Sequence, residues 1–382
     1  MKNISILIPS LAGGGAERVT SILLNELQSL YNITLILMND TIVYKIPPNI
    51  DIVYLENIQG SESNIKKILK LPFLGWKHSL ICKRKNIDIS ISFMYRPNFI
   101  NIFSKLFCPK VKMIISERST PSMTYKGNSF SSKVGRCLVR QLYKYSDIIV
   151  SNSQGSKFDL IKNFSIKREK ITVVENPFEI EKIQKLSDDT IEYKVGNKFI
   201  FLMVGRLESV KQHSLILRVF SELKIENSEL WILGDGPLKM SLEKLILELN
   251  LNRNVQIISF DKNPYKYMKK ANCLIVSSIR EGFPNVIIES MACGLPIISS
   301  DCHSGPREIL SPTTDIEIKI NDKIEIAEYG ILVPVKNEMF FKEAMQLMIN
   351  DKVMYDIYKT KIEKRADDFT TTKIIKKFKK II

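Results

Sequence analysis

The chain has 382 residues, 45% hydrophobic and 25% charged, which allows two or three globular units and excludes disorder, collagen-like sequence and a bundle of membrane spans. Lys and Arg number 56 against 41 Asp and Glu, a formal charge of +15 with a pI of about 9.3. That balance suits nucleic acid, an anionic membrane surface or phosphorylated substrates.

The excess is uneven. Residues 1–185 hold 27 basic and 14 acidic side chains, and residues 186–382 hold 29 and 27. Cys82, Cys108, Cys137, Cys273, Cys293 and Cys302 form no CxxC pair, and His78, His213 and His303 are the only histidines. Neither a zinc cluster nor a disulfide framework is expected, and the compartment reads as the reducing cytoplasm.

From the N-terminus, short apolar runs rich in β-branched residues stand at 4–8, 33–37, 52–55, 87–93, 113–115, 148–150 and 171–174, with helical patterns between them. The first is too short for a signal-peptide core and no run approaches 18 residues, so neither secretion nor a membrane span is expected. After a polar, weakly patterned stretch at 179–198 the series begins again, at 199–204, 230–233, 255–258, 274–276, 297–298 and 331–333. Runs that are apolar on both faces are the mark of parallel strands covered by helices. The reading is therefore α/β, with two Rossmann-like domains of parallel sheet at 1–180 and 198–365. Such sheets bind ligands at the carboxyl ends of their strands, so two facing units imply a cleft.

Four segments carry candidate chemistry. Gly13-Gly14-Gly15 follows the first strand and opens a helix bearing Val19, Leu23 and Leu27; Gly14 and Gly15 let a ligand approach free helix N–H groups, or simply form a tight turn. Gly205-Arg206-Leu207 with Lys211 puts a glycine turn, a guanidinium and an ammonium at the end of the second unit's first strand. Arg206 suits bidentate contact with phosphate and Lys211 a point-charge contact, unless both are solvated loop residues. Gly234-Asp235-Gly236-Pro237 reads as turn chemistry.

The most informative segment is Arg280-Glu281-Gly282-Phe283-Pro284-Asn285-Val286-Ile287-Ile288-Glu289, closed by Gly294 and Pro296. Pro284 suits the first turn of a helix of about nine residues, and Gly294 its C′ end. The helix start would face a diphosphate, with Glu281 toward a sugar and Glu289 toward a ribose. Gly282, Phe283, Pro284, Asn285 and Val286 complete that cradle beside Gly205.

Residues 65–85 mix seven basic side chains with Leu69, Leu71, Phe73, Leu74, Trp76 and Leu80, a composition typical of helices lying at an anionic bilayer, although Pro72 interrupts it. Residues 373–382 carry Ile374, Ile375, Phe378 and Ile381 at helical spacing among lysines.

In this order and at these distances the motifs resemble glycosyltransferase family 4. The resemblance covers essentially the whole chain, including Ser116-Glu117-Arg118 and Glu175-Asn176-Pro177. It implies the GT-B fold, retaining transfer from a nucleotide sugar, no metal and no cofactor, and a last helix, 366–382, that returns to the first domain. Leu37-Met38-Asn39-Asp40, 69–74, Arg96-Pro97-Asn98 and 263–268 are similar to bacterial N-acetylgalactosaminyltransferases acting on polyprenyl-diphosphate-linked glycans. That narrower resemblance implies a UDP-sugar donor, such an acceptor, an anionic membrane surface as partner, and a cytoplasmic protein on the inner face of the plasma membrane. Glu281, Arg206 and Lys211 are then the expected catalytic set. Many relatives place a histidine where this chain reads Glu117-Arg118; Arg118 is left between a phosphate contact and a structural pair with Glu117. A GT-B sugar-nucleotide epimerase and a non-catalytic sugar-nucleotide-binding protein remain alternatives, whereas no recognition motif supports nucleic acid.

Overall fold

A computed structural model describes residues 1–56, 62–192, 196–223 and 227–382. The apolar runs form two seven-stranded sheets. The first contains β1 (Lys2–Ile8), β2 (Tyr31–Leu37), β3 (Asp51–Tyr54), β4 (Ile89–Phe93), β5 (Lys112–Glu117), β6 (Ile148–Ser151) and β7 (Ile171–Val173), ordered β3-β2-β1-β4-β5-β6-β7 with every pairing parallel. The second contains β8 (Phe199–Val204), β9 (Ser228–Leu233), β10 (Val255–Ile258), β11 (Cys273–Val276), β12 (Ile297–Ser300), β13 (Glu325–Ala327) and β14 (Gly330–Val333), ordered β10-β9-β8-β11-β12-β14-β13. Only β13 runs antiparallel, in a hairpin with β14. Strand order reverses between β1 and β4 and between β8 and β11, so each sheet has one switch point where ligands of doubly wound sheets bind.

The chain divides into two compact units, one of Met1–Pro177 with Thr372–Ile382, the other of Phe178–Thr371. The second begins before the expected residue 198 because the helix Ile180–Ser187 is not linker: Phe178, Ile180 and Ile183 are buried with Trp231, Met268 and Met291. The expected closing helix 366–382 is broken as well. Phe369 packs in the second unit's core, and a separate helix, Thr371–Lys379, buries Ile374, Ile375 and Phe378 against Ile4, Ile6 and Val150 of the first. Lys112 Nζ donates to the Ile381 carbonyl at 2.7 Å, and Lys377 pairs with Glu175 at 2.6 Å. Counted by these units, the first holds 30 basic and 12 acidic side chains and the second 26 and 29. The returning helix therefore sharpens the charge asymmetry that the halves of the sequence showed.

Candidate functional site

The second unit's switch point is built from the loops after β8, β9 and β11. Gly234, at φ 149°, lies so close to the loop after β8 that a Cβ there would sit 2.1 Å from the Gly205 carbonyl oxygen. A Cβ at Gly236 would meet the Leu207 backbone at 2.6 Å, and Leu207 N donates to the Asp235 carbonyl at 3.0 Å. The Gly-Asp-Gly turn thus does more than reverse the chain: it is the platform on which Gly205 to Leu207 rests.

Lys211 closes a short 3-10 turn and its Nζ donates to Glu281 Oε1 at 2.7 Å. Two further bonds bind the same loops, Ser277 Oγ to the Lys211 carbonyl (2.6 Å) and Ile279 N to the Val210 carbonyl (3.0 Å). Burial works to lower the Lys211 pKa, but the Glu281 carboxylate outweighs it and the net direction is upward. The pair is a fixed cation and anion at the carboxyl ends of β8 and β11. Arg206 does not join it; its side chain is 72% exposed and pairs with Glu208 at 2.9 Å.

The informative segment folds as a loop followed by the helix Asn285–Ala292. Pro284 sits one position earlier than expected, at the N-cap, and Gly294 at φ 68° ends the helix after Cys293. Gly282, Asn285 and Val286 are half-buried around the helix start. Phe283 differs from its expected role: it is buried in edge-to-face contact with Phe369, so it anchors the loop from beneath. Glu289 is buried, with the Tyr265 hydroxyl donating to its Oε1 at 3.5 Å.

Sequence reasoning missed the support of this loop. Ser304 Oγ donates to the Gly282 carbonyl at 2.9 Å, and a Cβ on Gly305 would meet the Pro284 ring at 2.4 Å. Behind Ser304, buried Arg307 binds Asp301 at 2.7 Å and Glu325 at 2.9 Å, while Lys319 reaches Asp301 at 3.3 Å. Asp301 and Glu325 lie 24 positions apart, a separation that no local signal spans.

In the first unit, exposed Gly14 and Gly15 follow β1, Gly14 as N-cap of the helix Gly15–Leu27. At the end of β5 the Glu117 carboxylate accepts bonds from Arg118 N, Ser119 N and Ser119 Oγ at 3.0 to 3.1 Å and from the Tyr143 hydroxyl at 2.8 Å. The Arg118 guanidinium turns instead to Asn176 Oδ1 (2.8 Å) and lies 5.0 Å from the Phe93 ring centre. The side-chain pair between Glu117 and Arg118 is therefore not made. Tyr143, 26 residues away at the start of the 3-10 turn Tyr143–Tyr145, is the partner that sequence spacing did not reveal.

Burial pushes the Glu117 carboxyl up to about 7, against the pull of its four hydrogen bonds. A carboxyl raised in the fold binds protons that the unfolded chain has already lost, so its contribution to stability is present below pH 4.5 and is lost as pH rises through 7. Glu117→Gln, a neutral isostere, should therefore gain on the parent by on the order of 3 kcal/mol between pH 4.5 and 8. Thermal unfolding of both proteins across that range measures it; a constant difference would show that Glu117 is ionised throughout.

Models of known families and relatives bear on these two units. A family described as Glycosyltransferase Family 4 matches residues 13–182, and one described as Glycosyl transferases group 1 matches residues 187–366. The chain is 40% identical over 374 residues, 98% of its length and 97% of the relative's, to the N-acetylgalactosamine-N,N'-diacetylbacillosaminyl-diphospho-undecaprenol 4-alpha-N-acetylgalactosaminyltransferase of Campylobacter jejuni. It is 26% identical, over 100% of this chain and 98% of the other, to the same organism's GalNAc-alpha-(1->4)-GalNAc-alpha-(1->3)-diNAcBac-PP-undecaprenol alpha-1,4-N-acetyl-D-galactosaminyltransferase. The crystal structure of Anabaena HepE in complex with UDP matches with a TM-score of 0.77 and 16% identity, covering 100% of this chain and 99% of that one. Two parallel-sheet units in this order, matched end to end by such relatives, mean that the chain belongs to glycosyltransferase family 4 and is a glycosyltransferase with the GT-B fold.

Proposed function

We propose that this enzyme transfers N-acetylgalactosamine, with retention of anomeric configuration, from a UDP-sugar to a polyprenyl-diphosphate-linked oligosaccharide in bacterial surface-polysaccharide or glycan biosynthesis. The observation that carries the reading is the 40% identity, across 98% of the chain, to a relative whose name contains both that sugar and a diphospho-undecaprenol acceptor. The geometry of the second unit supports a nucleotide-sugar donor there. In this reading Lys211, and Arg206 once it leaves Glu208, meet the charge that develops on the departing diphosphate, without recourse to a metal. Glu281 orients the donor sugar and, being bonded to Lys211, couples sugar position to diphosphate position. Glu289 serves the ribose, and the backbone of Gly205, Gly282, Pro284, Asn285 and Val286 lets the diphosphate approach the helix start.

Incubation with a panel of UDP-sugars and an undecaprenyl-diphosphate-linked glycan tests the reading: UDP-N-acetylgalactosamine should give an α-linked product. Transfer of a different sugar, or a β linkage, would contradict it. Glu281→Gln should lower kcat by about two orders of magnitude or more, the scale of losing one contact made in the transition state. Turnover close to the parent's would remove Glu281 from the site.

The proposed acceptor's lipid calls for docking at a membrane, and two helices of the first unit support that reading. Two helices, Asn64–Leu69 and Leu71–Arg84, meet at Lys70 just before Pro72 and leave Ile65, Leu69, Phe73, Trp76 and Leu80 exposed among lysines. Among the described residues no helix is long and apolar enough to cross a membrane. Each basic residue near an anionic surface contributes roughly 1 kcal/mol, within a Debye length of about 8 Å at physiological salt. Brominated lipids in anionic vesicles should therefore quench Trp76 but leave buried Trp231 unaffected, and Lys66→Glu, Lys67→Glu and Lys70→Glu together should weaken binding at low salt. Equal binding to neutral and anionic vesicles would show that these lysines form only a solvated face.

A further inference from the structure

The first unit contains a cavity of about 340 Å³, lined by its own residues. It opens at the carboxyl end of the sheet, where Tyr95 follows β4 and Tyr125 stands on the segment after β5. Leu71, Phe99 and Leu138, from three different helices, give it apolar walls. Tyr95 and Tyr125 face each other across 4.9 Å between ring centres, and the Tyr95 hydroxyl is held by Ser119 Oγ at 2.6 Å. Gly135 makes the arrangement possible: a Cβ there would lie 2.3 Å from the Tyr125 ring. The volume falls in the range of small-molecule sites, and the walls are fixed by packing before any ligand arrives.

Arg96 gives this apolar space a charge. One of its terminal nitrogens, Nη1, pairs with Glu56 at 2.8 Å, and the other two guanidinium nitrogens, Nε and Nη2, are buried without a hydrogen-bond partner among the described residues. A guanidinium with unmet donors is costly unless something accepts from it. Glu56 is shared with Lys70, which also pairs with Glu62, so the local acids do not satisfy Arg96 fully. Lys67 stands on the same lining. Outside it, exposed Leu69 and Phe130 flank Ile68 and Ser131 of the lining and continue the apolar character onto the surface.

We infer that this cavity receives the phosphate-proximal part of an isoprenoid chain, with Arg96 donating to the attached diphosphate. The inference rests on the polyprenyl-linked acceptor proposed above and gives that acceptor's lipid a location of its own. A chain drawn from the bilayer past Leu69 and Phe130 meets apolar walls and aromatic rings first, and a guanidinium able to bind an anion beside them. A plain acyl chain would leave Arg96 unmet, and inorganic diphosphate would leave the apolar walls wet; only a ligand with both parts satisfies the cavity.

Farnesyl diphosphate is the probe, its binding to the full chain followed by calorimetry with saturating UDP present to occupy the donor site. Binding should be at least ten-fold tighter than that of farnesol or of inorganic diphosphate. It should weaken at least ten-fold in Arg96→Gln and in Leu138→Trp, which fills the cavity; Ser131→Trp, at an exposed position of the lining, repeats the test should Leu138→Trp misfold by circular dichroism. Farnesyl diphosphate should also compete with the lipid-linked acceptor in transfer assays. If it does not bind, or binds all three variants as it binds the parent, the inference fails even though transfer to a lipid-linked acceptor stands. If it binds as described but no polyprenyl-linked acceptor is glycosylated, the functional proposal fails and the isoprenoid site remains.

Discussion

The ion pair between Lys211 and Glu281 is the interaction on which the second unit's switch point depends. It joins the loop after β8 to the loop after β11 at 2.7 Å, with both side chains largely withdrawn from water. Exposed ion pairs contribute little, but removing one partner from a half-buried pair leaves a charge with poor solvation. The two backbone-directed bonds from Ser277 and Ile279 hold the same loops in register, so the fold itself positions the pair. On the proposed function, preorganised charge of this kind would stabilise a developing diphosphate without rearrangement at the moment of reaction.

Beneath the pair lies a second layer of constraint. The Gly-Asp-Gly turn carries the Gly205 loop, while the loop from Asp301 to Gly305 carries Gly282 and Pro284. Arg307, nearly inaccessible, ties Asp301 to Glu325 of β13. The first unit follows the same plan with neutral partners: Asn98 bonds the Ser116 carbonyl and the Tyr143 hydroxyl, and Tyr143 bonds Glu117. In both units, then, a polar network gathers at the carboxyl ends of the strands.

How much of this was legible in the sequence depended on distance along the chain. The strands announced themselves because parallel strands are buried on both faces, and the end of the helix Asn285–Ala292 was marked by Gly294 and Pro296. The approach of Glu281 to Lys211 was only implied, since 70 residues separate them and the fold alone brings them together. The strand β13 escaped because its three residues, Glu325–Ala327, carry no apolar run. The unit boundary at Phe178 and the core position of Phe283 escaped because an isolated aromatic residue reads alike on a loop and in a core. The pairings of Tyr143 with Glu117 and of Arg307 with Glu325 had no sequence signature, as each joins elements far apart in the chain.

In the proposed function Lys211, fixed by Glu281, holds the diphosphate of a nucleotide sugar. Calorimetric titration of UDP into the parent and into Lys211→Met, each with chelator present, tests it most directly. Binding to the parent should be tight and undisturbed by chelator, and weakened about ten- to a hundred-fold in the variant, the range expected for a charge-assisted contact of roughly 1.5 to 3 kcal/mol. Equal affinity for the two proteins, or binding that requires added Mg²⁺ or Mn²⁺, would contradict it.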